Sequence, residues 1–248
     1  MKKFLFVSAL SLVLCSAICG CTVKNIQPIE PNDNSGKAYS VNDDMGKACS
    51  IEIDGVPVIG QMPELPTGCE ATSAAMLLQW AGVGVNKLDV ANNIKKGHVP
   101  VLKNGKLYGP NPNNVFVGDP FSNFGYGTFH KPIADVINMY LEDKACDVTG
   151  ASIDDLYKIL NSGRPVIVWA TIHMVEPKVS KIWYDENGDK VTWMIPEHAL
   201  LLVGYTQAHV IVHDPYTGNK EHYSKSVFES VWKAMGSQAV TIWANKNG

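Results

Sequence analysis

The chain has 248 residues, of which 46% are hydrophobic and 18% are charged, and its formal net charge is −3. Because no basic patch stands out, the composition argues against nucleic acid as a partner. It is typical of a folded globular protein and excludes a coiled coil, a repeat array or a long disordered chain.

The N-terminus has the pattern of an export signal. Two lysines precede an apolar run from Phe4 to Ile18, which is too short to span a bilayer stably. The following Ile18-Cys19-Gly20-Cys21 resembles the lipobox of bacterial lipoproteins, whose final cysteine receives the lipid. We therefore predict a lipoprotein signal peptide over residues 1–20 and lipid attachment at Cys21. The protein would then be exported to the outer face of a bacterial membrane; cleavage without lipid, giving a secreted protein, is the alternative.

Cysteine usage fits an exported chain with a free thiol. Of the six cysteines, three lie within the first 21 residues, which leaves Cys49, Cys69 and Cys146. An odd number in an oxidising compartment leaves one cysteine free or paired outside the chain. Two interpretations remain open: a disulfide between Cys49 and Cys146 with Cys69 reduced, or structural free cysteines at both positions.

The rest of the chain divides into a tether and one domain. Residues 21–48 are polar and contain several Pro, Asn and Gly residues, as expected of a flexible tether. Residues 49–248 form the predicted domain. Apolar periodicity and turn signals predict helices over 70–80, 87–95, 132–141, 153–162 (with Ser152 as N-cap) and 226–234. They predict strands over 51–53, 56–59, 165–171, 198–205, 209–213 and 239–244, and a hairpin over 182–193. Residues 97–128 read as a long loop, and the order of elements predicts an α+β fold.

Cys69 lies where a loop rich in proline and glycine becomes an apolar helix, so the helix N-terminus should favour the thiolate over the thiol. His198 opens one predicted strand and Asp214 closes the next, so their side chains can meet if these strands are neighbours. A cysteine, an imidazole and an orienting carboxylate are the set that nucleophilic acyl transfer needs. Gln61, eight residues before Cys69, is the candidate oxyanion donor together with the Cys69 N–H.

Several nearby residues allow two interpretations. Glu70 is either an acid that complements the helix dipole or a side chain that holds the loop across the cleft. Gly118, Asp119 and Tyr126 belong either to a structural loop or to the rim of a substrate site, and we favour the rim. The remaining histidines suggest no metal site, because no third ligand accompanies His209 and His213. We predict no metal and no cofactor.

These residues together resemble a known family. Gln61, the Pro-x-Gly-Cys-Glu-Ala-x-Ser-x-Ala-Met segment of residues 66–76, His198 and Val212-His213-Asp214-Pro215 are similar to the papain-like cysteine peptidase clan. The likeness is greatest to exported members of the bacteriocin-processing peptidase-like family. The resemblance spans residues 51–244 and implies a papain-like fold, with helices packed on a mostly antiparallel sheet. It implies Cys69 as nucleophile, His198 as general acid and base, Asp214 as orienting group and Gln61 as oxyanion donor.

The chain departs from the peptide-maturing members in two respects. Those members have Asp-Cys-Gly where this chain has Gly68-Cys69-Glu70, and they are fused to an ABC exporter, whose motifs do not occur here. Cleavage after a double-glycine leader is therefore not expected. We predict a membrane-tethered cysteine peptidase acting on a peptide. The alternatives are a murein amide hydrolase acting on a peptidoglycan-like substrate, and a non-catalytic binding lipoprotein that retains the fold.

Overall fold

The computed structural model describes residues 50–243. The predicted signal peptide, the lipid site Cys21, the tether and Cys49 lie outside these residues, so those assignments stay predictions. Within the described residues, Cys69 and Cys146 are both buried free thiols. No helix in this part of the chain combines the length and the apolar character needed to cross a bilayer.

The N-terminal part of the domain alternates helices with short strands. In chain order these elements are β1 (Ile51–Glu52), α1 (Cys69–Trp80), α2 (Lys87–Asn93), β2 (Lys96–Gly97), β3 (Val101–Lys103), β4 (Lys106–Tyr108), β5 (Phe116–Val117), α3 (His130–Tyr140), β6 (Ala145–Asp147) and α4 (Ile153–Asn161).

Longer strands dominate the C-terminal part. They begin with β7 (Val166–Thr171), which runs into a 3₁₀ turn (Ile172–Met174), and continue with β8 (Lys178–Tyr184), β9 (Lys190–Ile195), β10 (Glu197–Tyr205), β11 (His209–Asp214), β12 (Asn219–Ser224), α5 (Lys225–Ala234) and β13 (Ala239–Ile242).

One sheet organises the fold. Its strand order is β12-β11-β10-β7-β13-β6, β1 also pairs with β10, and all of these pairs are antiparallel. Helices α1 and α3 contribute to the hydrophobic core on one face, and α4 and α5 to the core on the other. The predicted α+β, papain-like arrangement of helices on a mostly antiparallel sheet is confirmed.

Side-chain alternation along β10 decides which residues meet α1. Ala199 and Leu201 belong to the core cluster that contains α1, whereas Leu200 and Leu202 belong to the opposite cluster. Since alternate side chains of a strand point to opposite faces, Glu197 shares the α1 face with Ala199. His198, at the start of the strand, has the opposite parity and is directed toward the side of Leu200.

Helix α1 is buried along almost its whole length, with eleven of its twelve residues inaccessible. It contacts α2, α3 and strands β7 and β10, so no face of it is left to solvent. The Ala-rich sequence allows this, because small side chains let neighbouring elements approach closely. The first residue of α1 is thereby held at a fixed position against the sheet.

Several elements differ from the predictions. Residues 56–59, predicted as a strand, have no regular secondary structure. The segment 97–128, predicted as a long loop, contains strands β2 to β5. These include a β3–β4 hairpin whose turn residues Asn104 and Gly105 both have positive φ, 49° and 76°. Strands β6 and β12, at the two edges of the sheet, were not predicted, because short edge strands carry no apolar run. The Ser152 N-cap of α4 is confirmed, since its side chain accepts from the Asp155 amide.

Gly204 marks a tight crossing of backbone. The β10–β11 register shifts between Leu202 and Gly204, and β1 pairs with β10 at this point. A Cβ at Gly204 would meet the Ile51 carbonyl oxygen and would lie 2.8 Å from Glu52 Cα. Only glycine therefore lets β1 join the sheet here.

We expect Gly204→Ala to lower the free energy of unfolding by about 1–3 kcal/mol, because the added methyl must push β1 away. Urea unfolding measures the change. Gly84→Ala is the matched control, since a Cβ at Gly84 meets no atom within 4 Å and its φ is not positive. Equal stability of the two variants would contradict the close approach.

Candidate active site

His198 and Asp214 form a buried pair at one end of the sheet. His198 Nε2 lies 2.7 Å from Asp214 Oδ1, and the two side chains are 2% and 1% exposed. The Tyr216 amide also donates to Oδ1, at 2.7 Å. Burial alone would raise the pKa of Asp214, but the hydrogen bonds from His198 and from the Tyr216 and Thr217 amides hold it below its ordinary value. The pair leaves Nδ1 as the other ring nitrogen of His198.

Two aromatic rings adjoin this pair. Tyr216 packs edge-on to His198, with ring centroids 6.2 Å apart, and edge-on to His173 at 5.8 Å. His173 and Met174 both adopt left-handed backbone conformations, with φ of 58° and 54°, which is strained for residues with side chains. This kink after β7 brings His173 to the Tyr216 ring, so Tyr216 lies between His173 and the His198–Asp214 pair.

Cys69 is the first residue of α1, and its sulfur lies beside the start of β10. The Ala199 amide donates to Sγ at 3.4 Å, so the sulfur packs against the backbone just after His198. The thiol donates to Glu70 Oε2 at 3.3 Å. Among the described residues, His198 is not a hydrogen-bond partner of the sulfur. The structure thus brings Cys69 to the same strand end as His198 and Asp214, with its thiol turned toward Glu70.

The prediction that the helix N-terminus favours a thiolate is wrong for this arrangement. Burial first, and then the charges of Glu70 and Glu197, raise the pKa of the Cys69 thiol well above its ordinary value. The Ala199 amide acts in the opposite direction but does not compensate. Loss of water and two nearby carboxyls outweigh the helix dipole, so Cys69 is a thiol here.

Glu70 is fully buried and holds the loop across the cleft. Its Oε1 accepts from the Thr128 amide at 2.6 Å. A Cβ at Gly127 would meet this oxygen and would lie 3.1 Å from Glu197 Oε2. Burial raises the pKa of Glu70 to about 7. Because Glu70 has no exposed surface, it acts on the loop and the thiol and offers no surface to a substrate.

Glu197 completes a cluster of three acidic groups. One donor atom each from Cys69, Glu70 and Glu197 lies within 4.8 Å of the others, and no ion pair of the described residues involves either glutamate. Burial, followed by the Glu70 charge, raises the pKa of Glu197 well above its ordinary range. We assign no metal to this group, because the Cys69 sulfur is a thiol that donates to Glu70, whereas metals are bound by the thiolate.

Gln61 ties the loop before Cys69 to the turn after Asp214. Its amide nitrogen donates to the carbonyls of Leu65 and Pro66 at 3.1 and 3.0 Å, and its backbone N–H donates to Pro215 O at 2.7 Å. Lys87 Nζ contacts the Gln61 carbonyl from α2, at 3.0 Å. Both side-chain amide hydrogens are therefore engaged within the loop. The Cys69 N–H is in the first turn of α1, where Gly68 supplies no side-chain cap.

The predicted rim residues have different positions. Thr67 Oγ1 donates to the Asp119 carbonyl at 3.2 Å, so Gly118 and Asp119 adjoin the loop that precedes Cys69. Tyr126 instead accepts from Lys181 Nζ at 2.8 Å and packs edge-on to Trp183 and Trp193. Asp119 is exposed and available to a ligand, whereas Tyr126 belongs to an aromatic cluster.

Sequence reasoning missed Glu197, the Thr128 amide and the Tyr216 ring. The signal for Glu197 was the alternation along β10, which places the residue two before Ala199 on the α1 face. Glu197 also lines a cavity of about 330 Å³ whose walls include Phe129, Trp193 and Met235. A cavity of about 680 Å³ lies between the β3–β4 hairpin and the β8–β9 turn and is lined by none of the candidate catalytic residues.

The buried Glu70 should make stability depend on pH. Its pKa in the folded chain is about 7, and that in the unfolded chain is about 4.3. The folded state therefore retains a proton that the unfolded state loses. The stabilisation is fully present below the unfolded pKa and disappears as pH rises through 7. From pH 4 to pH 8, the free energy of unfolding of the wild type relative to Glu70→Gln should fall by on the order of 3 kcal/mol.

Urea unfolding of both proteins across this pH range measures the difference, in which the titrations of groups remote from Glu70 cancel; the remaining change belongs to Glu70 together with Glu197, whose pKa depends on the Glu70 charge. Glu186→Gln is the control, because Glu186 is exposed, and its difference from wild type should be flat with pH. A flat difference for Glu70→Gln as well would contradict the raised pKa.

The chain is similar to known proteins in sequence and in fold. The model of the Peptidase_C39 like family matches residues 53–240. The uncharacterized protein YvpB of Bacillus subtilis (strain 168) is 36% identical over 217 residues, which cover 86% of this chain and 84% of that protein. A crystal structure of a Bacillus anthracis protein proposed to be a C39-like peptidase superposes with a TM-score of 0.72 at 37% identity. It covers 79% of this chain and 98% of the other. The chain belongs to the C39-like peptidase family.

Proposed function

We propose that this chain is an exported cysteine peptidase that hydrolyses peptide or related amide bonds through Cys69, His198 and Asp214. The observation that carries the proposal is the buried His198–Asp214 hydrogen bond of 2.7 Å at the strand end against which the Cys69 sulfur packs. A histidine with one nitrogen held by a carboxylate has a fixed tautomer and orientation, and its other nitrogen is presented to a nucleophile.

In the proposed cycle, the Cys69 sulfur turns from Glu70 to His198. Its proton passes to Nδ1, which gives a thiolate and an imidazolium. The Nε2–H of this imidazolium continues to donate a hydrogen bond to Asp214. The thiolate attacks the carbonyl carbon, and His198 returns the proton to the leaving amine. A water molecule deprotonated by His198 then attacks the thioester, which releases the acid and restores the thiol.

The oxyanion needs hydrogen-bond donors beside the nucleophile. The Cys69 N–H is suitable, because first-turn amides of a helix lack intrahelical partners. Gln61 can add a second donor only by releasing Leu65 or Pro66, since both carbonyls occupy its amide hydrogens. We propose that Gln61 exchanges one of these bonds when substrate binds. The exposed Asp119 side of the rim and the Glu197 cavity are the surfaces next to the nucleophile that a peptide can contact.

Cys69→Ala should abolish cleavage, because no other group can form the acyl-enzyme. Cys146→Ala is the matched control, since Cys146 is a buried free thiol in β6 with no contact to the site, and this variant should keep wild-type activity. The measurement is release of new amino termini from a peptide mixture and, separately, from purified murein. These two substrates separate a peptidase from a murein amide hydrolase.

The same assay tests the supporting residues. His198→Ala should lose activity about as completely as Cys69→Ala, and Asp214→Asn should lose about 10⁴-fold. Gln61→Ala should lower kcat by about 10²-fold. A Cys69→Ala protein that still cleaves would end the proposal.

The protonated thiol, turned from His198, favours one other function, a non-catalytic binding protein. Absence of cleavage by the folded wild type on both substrates would support that function.

Export and anchoring are part of the proposal. Its support is the sequence pattern at residues 1–21. Metabolic labelling with a palmitate analogue should mark the wild-type protein in the membrane fraction, and Cys21→Ser should lose the label and leave that fraction. A wild-type protein without label would favour the secreted alternative.

A further inference from the structure

The carboxyl of Glu70, which is fully buried, and that of Glu197, which is half-buried with a buried Oε1, take no part in the cycle above. Both lie beside the Cys69 sulfur, on the face of β10 opposite in parity to His198. Strand β7 and the loop across the cleft add only uncharged groups here, among them Trp169 and Thr128. Among the described residues, the charged or titratable neighbours of the two carboxyls are each other and Cys69, with His198 on the other side of the sulfur. His130, which is paired with Asp147, lines the same cavity as Glu197.

The hydrogen bonds specify the role of Glu70. Its Oε1 is held by the Thr128 amide, which directs Oε2 at the thiol of Cys69. The Ala199 amide contacts the sulfur from a second side. These three contacts define a position for the sulfur that makes no hydrogen bond with His198.

Glu197 has fewer partners. Its Oε1 is a buried oxygen without a hydrogen-bond partner among the described residues, and Gly127 packs against its other oxygen. Two carboxyls this close, both desolvated and without a cation, cannot both ionise at neutral pH. They must hold at least one proton between them, as coupled carboxylate pairs do.

We propose that Glu70 and Glu197 are positioning residues that share a proton and hold Cys69 as a thiol in a resting position, turned away from His198. Their remaining negative charge opposes loss of the thiol proton. When the sulfur turns to Nδ1 of His198, the S–H bond breaks and the proton forms an N–H bond, so the new negative charge on the sulfur is turned away from the carboxyls and is paired with the imidazolium. The proposal rests on the proposed function only for His198 as the proton acceptor.

Removal of a carboxyl charge should make the Cys69 thiol easier to deprotonate. We expect Glu197→Gln to lower the apparent pKa of Cys69 alkylation by at least one pH unit, because only one of the two carboxyls that repel the thiolate as the pH rises is left. Since a thiolate of lower pKa is a weaker nucleophile, the rate at neutral pH should rise only about threefold for such a shift. Iodoacetamide alkylation is followed from pH 5 to 10 by mass spectrometry of the Cys69 peptide, in a Cys146→Ser background that removes the second thiol.

Matched variants separate charge from packing. Glu197→Asp retains the charge and should keep a pKa near that of wild type, whereas Glu70→Gln should shift it in the same direction as Glu197→Gln. Glu186→Gln, at an exposed site, should change nothing. Urea unfolding checks that each variant is folded. If Glu197→Gln does not fold, Glu70→Gln takes its place as the charge-removing variant.

Two results would overturn the proposal: a folded charge-removing variant alkylated with the wild-type pH profile, or Glu197→Asp shifted as far as Glu197→Gln. The assay needs no substrate, so its result is independent of the peptidase test. A shifted profile in a chain that cleaves nothing would keep the positioning role and end the proposed function.

Discussion

The register of β10 between β7 and β11 is the constraint on which the site depends. His198 pairs with Ala170 on one side, and Leu201 pairs with His213 on the other. Continuing this antiparallel register sets Asp214 opposite Leu200, on the same face as His198 and within diagonal reach. A slip of one residue would send His198 and Asp214 to opposite faces. Such a slip would also disturb the packing, because side chains of different size are buried on both faces of β10.

The same strand explains why Cys69, the proposed nucleophile, is protonated in this structure. Its alternation directs Glu197 to the α1 face, where the first residue of α1 is Cys69. A helix N-terminus contributes at most about 2 kcal/mol to a nearby charge, whereas burial without a cation costs an ionised group more. The protonation state of Cys69 is thus governed by its desolvation and by two carboxyls. The helix N-terminus considered alone predicts a lowered pKa for the Cys69 thiol, which is the opposite direction.

Much of the fold was predictable because the long elements carry strong periodic signals. Helix α1, strands β7, β10 and β11, and the Ser152 cap follow from local pattern, and with them the meeting of His198 and Asp214. The edge strands β6 and β12 and the small β3–β4 hairpin were not predictable, since pairing with a neighbour, rather than an apolar run, defines them. The partner of Glu70 was also out of reach, because the Thr128 amide lies 58 residues further along the chain. Only tertiary packing brings that amide to Glu70.

The rim between Gly118 and Gly125 is a closed loop attached at its base. A Cβ at Gly118 would lie 2.9 Å from Gly125 Cα, and one at Gly125 would meet Thr67 Oγ1 and lie 2.7 Å from the Asp119 carbonyl. The two ends of the segment therefore touch each other and the loop before Cys69, while residues 121, 123 and 124 face solvent. Compact loops whose ends meet tolerate exchange of their tips. In the proposed peptidase, exchange of the exposed residues 121, 123 and 124 would change what a substrate meets at this rim, while Ser122, whose carbonyl accepts from Thr67 at 3.0 Å, keeps the loop attached.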